Sequence, residues 1–216
     1  MSSVARCVIG CGAAAVVWSA AAARAERLEF NFKDPKGVNA TQFILDSPLE
    51  PIMGLAAGVG GKVTFDAANP KAMSGRITIA SKSIHIENRN MQQKAHSAPW
   101  LDVKGYPEIS FKIREVVSAR QRDDGVHDLT VVGDFTCKGH TKELTVRIKA
   151  TYLPGKLGRR LRGQNGDLLV LRSSFTIKRS DFDINPSIGG DSVADDVQIR
   201  VTVDVERAAG QNMRTA

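Results

Sequence analysis

Between Arg27 and Glu206 apolar and polar residues alternate with a period of two, the pattern of strands with one covered and one wet face. Leu28, Phe30 and Phe32 form the first row, and Val63 and Phe65 share a face within 61–66. Ile77 and Ile79 lie on one side with Ser81. The cleanest row is Ile109, Phe111 and Ile113, opposed by Ser110, Lys112 and Arg114. Leu129, Val131, Gly133, Phe135 and Cys137 make the next, then Leu144, Val146, Ile148 and Ala150. Phe175 and Ile177 follow, and Val197, Ile199, Val201, Val203 and Val205 close the series. Turn residues fall between the rows. Asp123-Asp124-Gly125 and Lys138-Gly139-His140-Thr141 fit hairpins, and Asn69-Pro70 ends another strand. The count is about eight strands, each with one wet face. Short strands repeated with turns between them read as a sandwich or a barrel.

Three segments depart from this pattern. Residues 88–98 carry no alternation and contain Met91, Gln92, Gln93, Lys94 and Ala95, all good helix formers. A short helix is predicted there, capped by Asn88 or Asn90 and stopped by Pro99. The stretch 154–167 holds Lys156, Arg159, Arg160 and Arg162 among glycines and reads as a mobile basic loop. Near 179–181 the parity changes. Phe175 and Ile177 share a face with Arg179, whereas Phe182 and Ile184 have the opposite parity, so a bend or bulge falls there. Arg179 then points inward at one end of the barrel. Two roles fit it: a bidentate grip on a phosphate or carboxylate head group, or an internal ion pair with Asp181, Asp195 or Asp196.

The first 25 residues are of another kind. Arg6, an Ala- and Val-rich run from Gly12 to Ala23, and the exit Ala23-Arg24-Ala25 make a secretory leader, with cleavage expected after Ala25. The run is shorter than the roughly 20 residues of a membrane anchor. Val8-Ile9-Gly10-Cys11 resembles a lipoprotein box, but the apolar run lies after Cys11 rather than before it. The expected organisation is a leader over 1–25, one domain over 26–208 and a flexible tail over 209–216, with a periplasmic or secreted location. The leader takes two arginines and no acid with it, so the net charge of +7 falls to +5. It also removes Cys7 and Cys11, leaving Cys137 with no disulfide partner in the chain. With 42% hydrophobic and 25% charged residues, the domain has the material for a packed core.

Candidate chemistry is sparse. His85, His96, His127 and His140 show no metal-ligand spacing, and Cys137 with His140 lacks two further ligands. Parity places Cys137 in a buried row, where it acts as a small hydrophobe. Nucleophile and phosphate-loop motifs are missing from the sequence. The pairs Asp123/Asp124 and Asp195/Asp196 are adjacent on strands and point apart. The basic loop has no aromatic residue to stack on bases, which argues against nucleic acid. No metal and no cofactor is expected. A barrel of about eight strands either fills with side chains or holds one small ligand. Gly133, Ala150 and Cys137 leave room for an elongated apolar molecule, and a filled core fits the pattern equally well.

The runs GKVTFDAANPKAMSGRITIASKSI, WLDVKGYPEISFKI, VVGDFTCKGHTKELTV and FTIKRSDFDI resemble the YceI-like family in order and spacing, over nearly the whole mature chain. That resemblance implies an all-β fold, an eight-stranded antiparallel lipocalin-like barrel, here with the one short helix near residues 88–98. It also implies a carrier of a polyisoprenoid or other long-chain lipid rather than an enzyme. Ile109, Phe111, Leu129, Val131 and Phe135 match apolar strand positions of the family, and Arg179 matches its Arg-Ser-Asp-Phe block. The expected ligand-binding set adds Phe65, Ile79, Ile113, Val146, Ile148, Phe175 and Ile177, with Met91 and Trp100 as a lid. The family supplies no catalytic set. This chain departs from it in the Gly- and Ala-rich stretch 54–61, in Asp181-Phe182-Asp183 where many members have Asp-Phe-Gly, and in the basic loop around Arg159. That loop is a candidate for transient contact with an anionic membrane surface. The oligomeric state stays open, a homodimer included. Two rival readings remain at this point: a filled barrel serving as a stress-related protein-interaction module, and a small lipid hydrolase or isomerase.

Overall fold

The computed structural model describes residues 27–123 and 125–209. The leader with its cleavage point, Asp124 of the first hairpin, and the tail beyond Ala209 lie outside the described residues. The strands are β1 (Leu28–Asn31), β2 (Ala40–Leu45), β3 (Ile52–Ala56), β4 (Val59–Phe65), β5 (Ser74–Ala80), β6 (Ile84–His85), β7 (Glu108–Asp123), β8 (Val126–Cys137), β9 (His140–Leu153), β10 (Gly166–Lys178) and β11 (Asp196–Ala208). The helices are α1 (Arg89–His96) and the single turn α2 (Leu157–Arg160).

Eight strands close into an antiparallel barrel in the order β1-β4-β5-β7-β8-β9-β10-β11, β1 returning to β11 through Asn31↔Glu206. At one end β2 takes over from β1 beside β11, running from Ile44↔Gln198 to Ala40↔Thr202. There β3 and β6 extend the wall beyond β4 and β5. Between β1 and β2 the chain leaves the ladder, and the Asn39 side chain bridges the break. Its Nδ2 donates to the Asp204 carbonyl at 3.0 Å and its Oδ1 accepts from the Asp204 amide at 2.8 Å. A primary amide thus supplies both hydrogen bonds of a missing strand residue.

Alternation holds along β8, whose even-numbered residues are half-buried and odd-numbered ones buried. The turn to β9 needs positive φ at both central positions, met by Lys138 (φ 47°) and Gly139 (φ 78°). In β7 the register against β8 slips between Ile113 and Glu115 and again between Val116 and Ser118. These bulges return Val116 to the interior after Ile113 and leave Val117 outside.

The run Leu168–Leu171 shows no alternation because β10 is covered on both faces. Leu169 and Leu171 are buried inside, and Leu168 and the fully buried Leu157 lie toward α2. This corrects the reading of 154–167 as a free basic loop. Arg160 is 11% exposed and holds Asp34 at 3.1 Å, Asp204 at 2.8 Å and Glu206 at 3.1 Å. Three carboxylates satisfy the guanidinium fork and fasten α2 to β11 and to the β1–β2 connection.

The end of the barrel beneath this loop is packed solid. Phe30, Phe32, Val63, Phe65, Met73, Ile113, Val116, Leu129, Val131, Ala150, Leu169, Val203 and Val205 form its core. His127 sits in this end, 1% exposed, with its ring edge-on to Phe65 at 5.5 Å and no hydrogen-bond partner for Nδ1. Burial pulls its pKa below the ordinary 6.5. As pH falls, the unfolded chain therefore takes up this proton before the folded one, and stability is fully present only above 6.5. The melting temperature is expected to drop between about pH 7.5 and about pH 5, and His127→Leu to flatten that slope. An unchanged slope in the variant assigns the acid sensitivity to other groups.

Candidate functional site

The other half of the barrel is hollow. A cavity of about 350 Å³ runs from a floor near Leu171 and Val201 to a mouth between α1, the β2–β3 connection and the 178–196 segment. Its wall is built from the inward rows of β2, β5, β7 to β11, plus Ala56, Ile84 and Ile86, and is almost wholly aliphatic and aromatic. Filled and hollow barrel, the two alternatives left open by the pattern, are therefore both present, one in each half.

Of the sequence-predicted site residues, Ile79, Met91, Trp100, Ile109, Phe111, Phe135, Val146, Ile148, Phe175, Ile177 and Arg179 line this cavity. Phe65, Ile113, Leu129 and Val131 do not. They belong to the packed half, because their rows continue past the floor. Parity tells which face of a strand is inward but not how far along the barrel the hollow extends. Space near Gly133 is taken as well. A Cβ there would lie 2.6 Å from Phe111 Cζ, so the missing side chain seats that ring instead of a ligand. Ala150 is likewise buried in the packed half.

The sequence reading missed the contribution of β2 and β3. Thr41, Phe43 and Leu45 alternate inward, and with Ala56 and Ile52 they form one side of the wall, from Thr41 and Ala56 at the floor to Leu45 and Ile52 at the mouth. The signal was present in Thr41-Gln42-Phe43-Ile44-Leu45, but Ile44 blurs it. Gly54 faces Phe43 across β2–β3, and a Cβ on it would collide with the Phe43 ring and the His85 carbonyl oxygen. Gly54→Ala is expected to cost about 1–3 kcal/mol, by the usual penalty of overpacking, and to push the ring toward the cavity. A thermal melt and a ligand titration check both effects, and unchanged values in the two would show that the strand pair absorbs the methyl.

α1 covers the mouth as expected of a lid. Asn88 Oδ1 caps it, accepting from the amides of Asn90 at 3.0 Å and Met91 at 3.1 Å. Met91, Lys94 and Ala95 of the helix, with Trp100 and Leu101 behind it, face the cavity. Side chains clasp the helix to β6. Gln92 Oε1 accepts from the Ile86 amide at 2.5 Å, while Gln92 Nε2 and His96 Nε2 each lie 2.8 Å from the Ile84 carbonyl oxygen. Leu49, 71% exposed yet part of the cavity wall, marks the rim opposite.

Arg179 follows neither expected role. It is 2% exposed, and its five N–H groups meet five backbone carbonyls. Nε donates to Ala194 at 3.2 Å, one terminal nitrogen to Ile184 and Asn185 at 2.5 Å each, and the other to Ile188 at 3.4 Å and Val193 at 3.3 Å. No donor is left for a head group, and no carboxylate of the described residues lies at ion-pair distance. Burial lowers its pKa, and the nearby Asp195 charge works against that. Burial alone would raise the pKa of Asp195, but the Ser180 amide and hydroxyl and the Arg179 charge outweigh it and hold the carboxyl low. The parity break at 179–181 is a 3-10 turn over Ser180–Phe182, ended by Asp183 at φ 52°. Trp100 stacks near the guanidinium, 5.9 Å from its carbon to the ring centroid. Arg179 thus knits the 184–194 segment into a rigid rim.

The cavity offers surface rather than reactive groups. Cys137 is buried in its wall, and burial pushes the thiol up to about 12, with Lys138 only partly opposing this. A thiol held protonated is a poor nucleophile. Among the described residues no cluster of three or more His, Cys, Asp or Glu is placed to hold a metal, and no helix is long and apolar enough to cross a membrane.

Comparison with known proteins fits this architecture. A family model described as a YceI-like domain matches residues 34–205. A UPF0312 protein of Ectopseudomonas mendocina is 29% identical over 129 residues, 60% of this chain and 62% of that protein. Protein YceI of Escherichia coli O17:K52:H18 is 29% identical over 141 residues, 65% of this chain and 68% of that one. The matched region thus spans about two thirds of these relatives. Among solved structures, Burkholderia cenocepacia BcnA superposes with a TM-score of 0.58 at 23% identity, covering 77% of this chain and 95% of that chain. A polyisoprenoid binding domain from Saccharophagus degradans, implicated in plant cell wall breakdown, does so with a TM-score of 0.58 at 8% identity, covering 84% and 99%. At these identities the likeness is one of fold.

Proposed function

We propose, from the premise that this chain belongs to the YceI-like family, that it is an exported carrier which sequesters one long-chain apolar molecule, a polyisoprenoid or fatty amphiphile, in the hollow half of its barrel. The observation that carries this reading is the cavity itself: an aliphatic void of about 350 Å³ closed at one end by a packed core and roofed at the other by α1. Burying a methylene stabilises by about 0.8 kcal/mol. Ten of them contribute roughly 8 kcal/mol before the costs of ordering, so chain length alone supplies affinity. The polyisoprenoid-binding description of the Saccharophagus domain supports the ligand class by fold likeness. The protonated Cys137 thiol supports binding over catalysis.

Export rests on the charged start, apolar run and Ala23-Arg24-Ala25 exit of the sequence. Contact of the mouth with a bilayer is not served by the basic loop, since 154–166 sits over the packed end, away from α1.

Native mass spectrometry of the protein purified from its export compartment tests the reading, with organic extraction as a second step. A polypeptide beginning at Glu26 with a discrete extra mass that moves into solvent is the expected result. A bare polypeptide, unchanged after incubation with polyprenyl phosphates and fatty amides, would overturn it.

A further inference from the structure

We infer that the cavity floor is a polar subsite built on Thr41, which accepts an uncharged hydrogen-bonding group, such as a hydroxyl or carboxamide, at the inner end of the bound chain. This rests on the carrier reading and adds a direction to it: the ligand lies with an uncharged polar end at the floor.

The register fixes where Thr41 is. On β2 it pairs with Val201 of β11 and with Ala56 of β3, and Val201 pairs in turn with Ser173 of β10. The next inward residue of β11 is Val203, fully buried in the packed half. The row Thr41–Val201–Ser173 is therefore the last before the solid core. Thr41 is 6% exposed and part of the cavity wall. Its Oγ1 is sealed from solvent and has no hydrogen-bond partner among the described residues. Ser173, in the same row, is satisfied, donating to the Arg147 carbonyl at 2.7 Å.

A buried hydroxyl without a partner is costly and uncommon. Valine has nearly the same shape and would suit a wall of Val201, Ala56, Phe43 and Leu45. The hydroxyl gains nothing for the empty barrel, so a ligand is its natural partner. In the structure the hydroxyl is covered on the cavity side as well. Rotation about χ1 exchanges hydroxyl and methyl between staggered wells, and that change of rotamer is what would present the hydroxyl to a bound chain. The partner must be uncharged. An ionised head group at this depth would be buried in an aliphatic wall without a counter-charge: of the cations lining the cavity, Lys94 stands at the mouth on α1 and Arg179 spends every N–H on carbonyls.

The test compares hexadecanol with hexadecane as competitors for a fluorescent lipid, using delipidated wild type, Thr41→Val and Thr41→Ser. The ratio of the two affinities is read within each protein. Thr41→Val is expected to lower the alcohol-to-alkane ratio by about tenfold, the effect of one lost hydrogen bond, with alkane affinity unchanged. Thr41→Ser is expected to keep the wild-type ratio. The same ratio in wild type and Thr41→Val overturns the subsite while leaving the carrier intact. Failure of the wild type to bind either chain overturns the carrier and the subsite together.

Discussion

Replacing Ile199 by tryptophan is expected to weaken binding of a long-chain ligand about a hundredfold while leaving the barrel folded. Ile199 lies midway between mouth and floor on β11, paired with Phe175 on one side and Phe43 on the other. It is half-buried and lines the cavity, so an added indole grows into the void instead of into packed neighbours. That separates it from ordinary overpacking, which costs about 1–3 kcal/mol in a filled core. If the indole displaces about four methylenes of ligand at ~0.8 kcal/mol each, the loss is roughly 3 kcal/mol, or about two orders of magnitude in affinity. Titration calorimetry on delipidated protein, beside a thermal melt, reads both halves of this expectation. Wild-type affinity in a folded Ile199→Trp variant would place the ligand elsewhere on the molecule.

Arg179→Met should lower the melting temperature by about 10 °C. The substitution keeps length and removes five donors. Left behind are the carbonyls of Ile184, Asn185, Ile188, Val193 and Ala194, all gathered around one buried point. Each acceptor stranded away from water costs about 1–3 kcal/mol. Because the 184–194 segment can swing out to recover water, the sum is capped at about 3–5 kcal/mol, the upper range for a single substitution. For a domain of this size each kcal/mol shifts the melt by about 2–4 °C. Lysine restores the charge but only three donors from a compact ammonium, so Arg179→Lys should recover little. A melt within experimental error of wild type would mean that the carbonyl cage contributes no stability. Looser holding of Trp100, which stacks on this guanidinium, should accompany the loss and appear as a changed indole emission.

The sequence carried the barrel because burial on one face of a strand leaves a period of two. The rows through Ile109, Leu129, Leu144 and Val197 all point inward in the structure. It also carried local features with local causes. Asn88 caps α1 through hydrogen bonds three residues or fewer away, Lys138-Gly139 makes the tight turn, and the parity break at Arg179 is where the 3-10 turn begins. Cys137 is buried where its row put it.

What only the tertiary structure decided is how the interior is shared between side chains and empty space. Phe65, Leu129 and Val131 are as apolar and as inward as Phe135 and Ile177, yet the first group packs solid and the second borders a void. The difference lies in what the opposite strands bring to the same height, a sum over the ring that no single row records. The bulges of β7 and the break between β1 and β2 shift those heights without a clear mark in the sequence. Charged residues show the same limit. Arg160 reads as a surface cation and Arg179 as either a head-group clamp or one half of an internal ion pair, and each is buried against partners far along the chain or folded back around it: Asp34, Asp204 and Glu206 for one, five carbonyls for the other. A strand's periodicity follows from its own backbone geometry, whereas a cavity and the partners of a buried charge depend on long-range contacts that form only when the barrel closes.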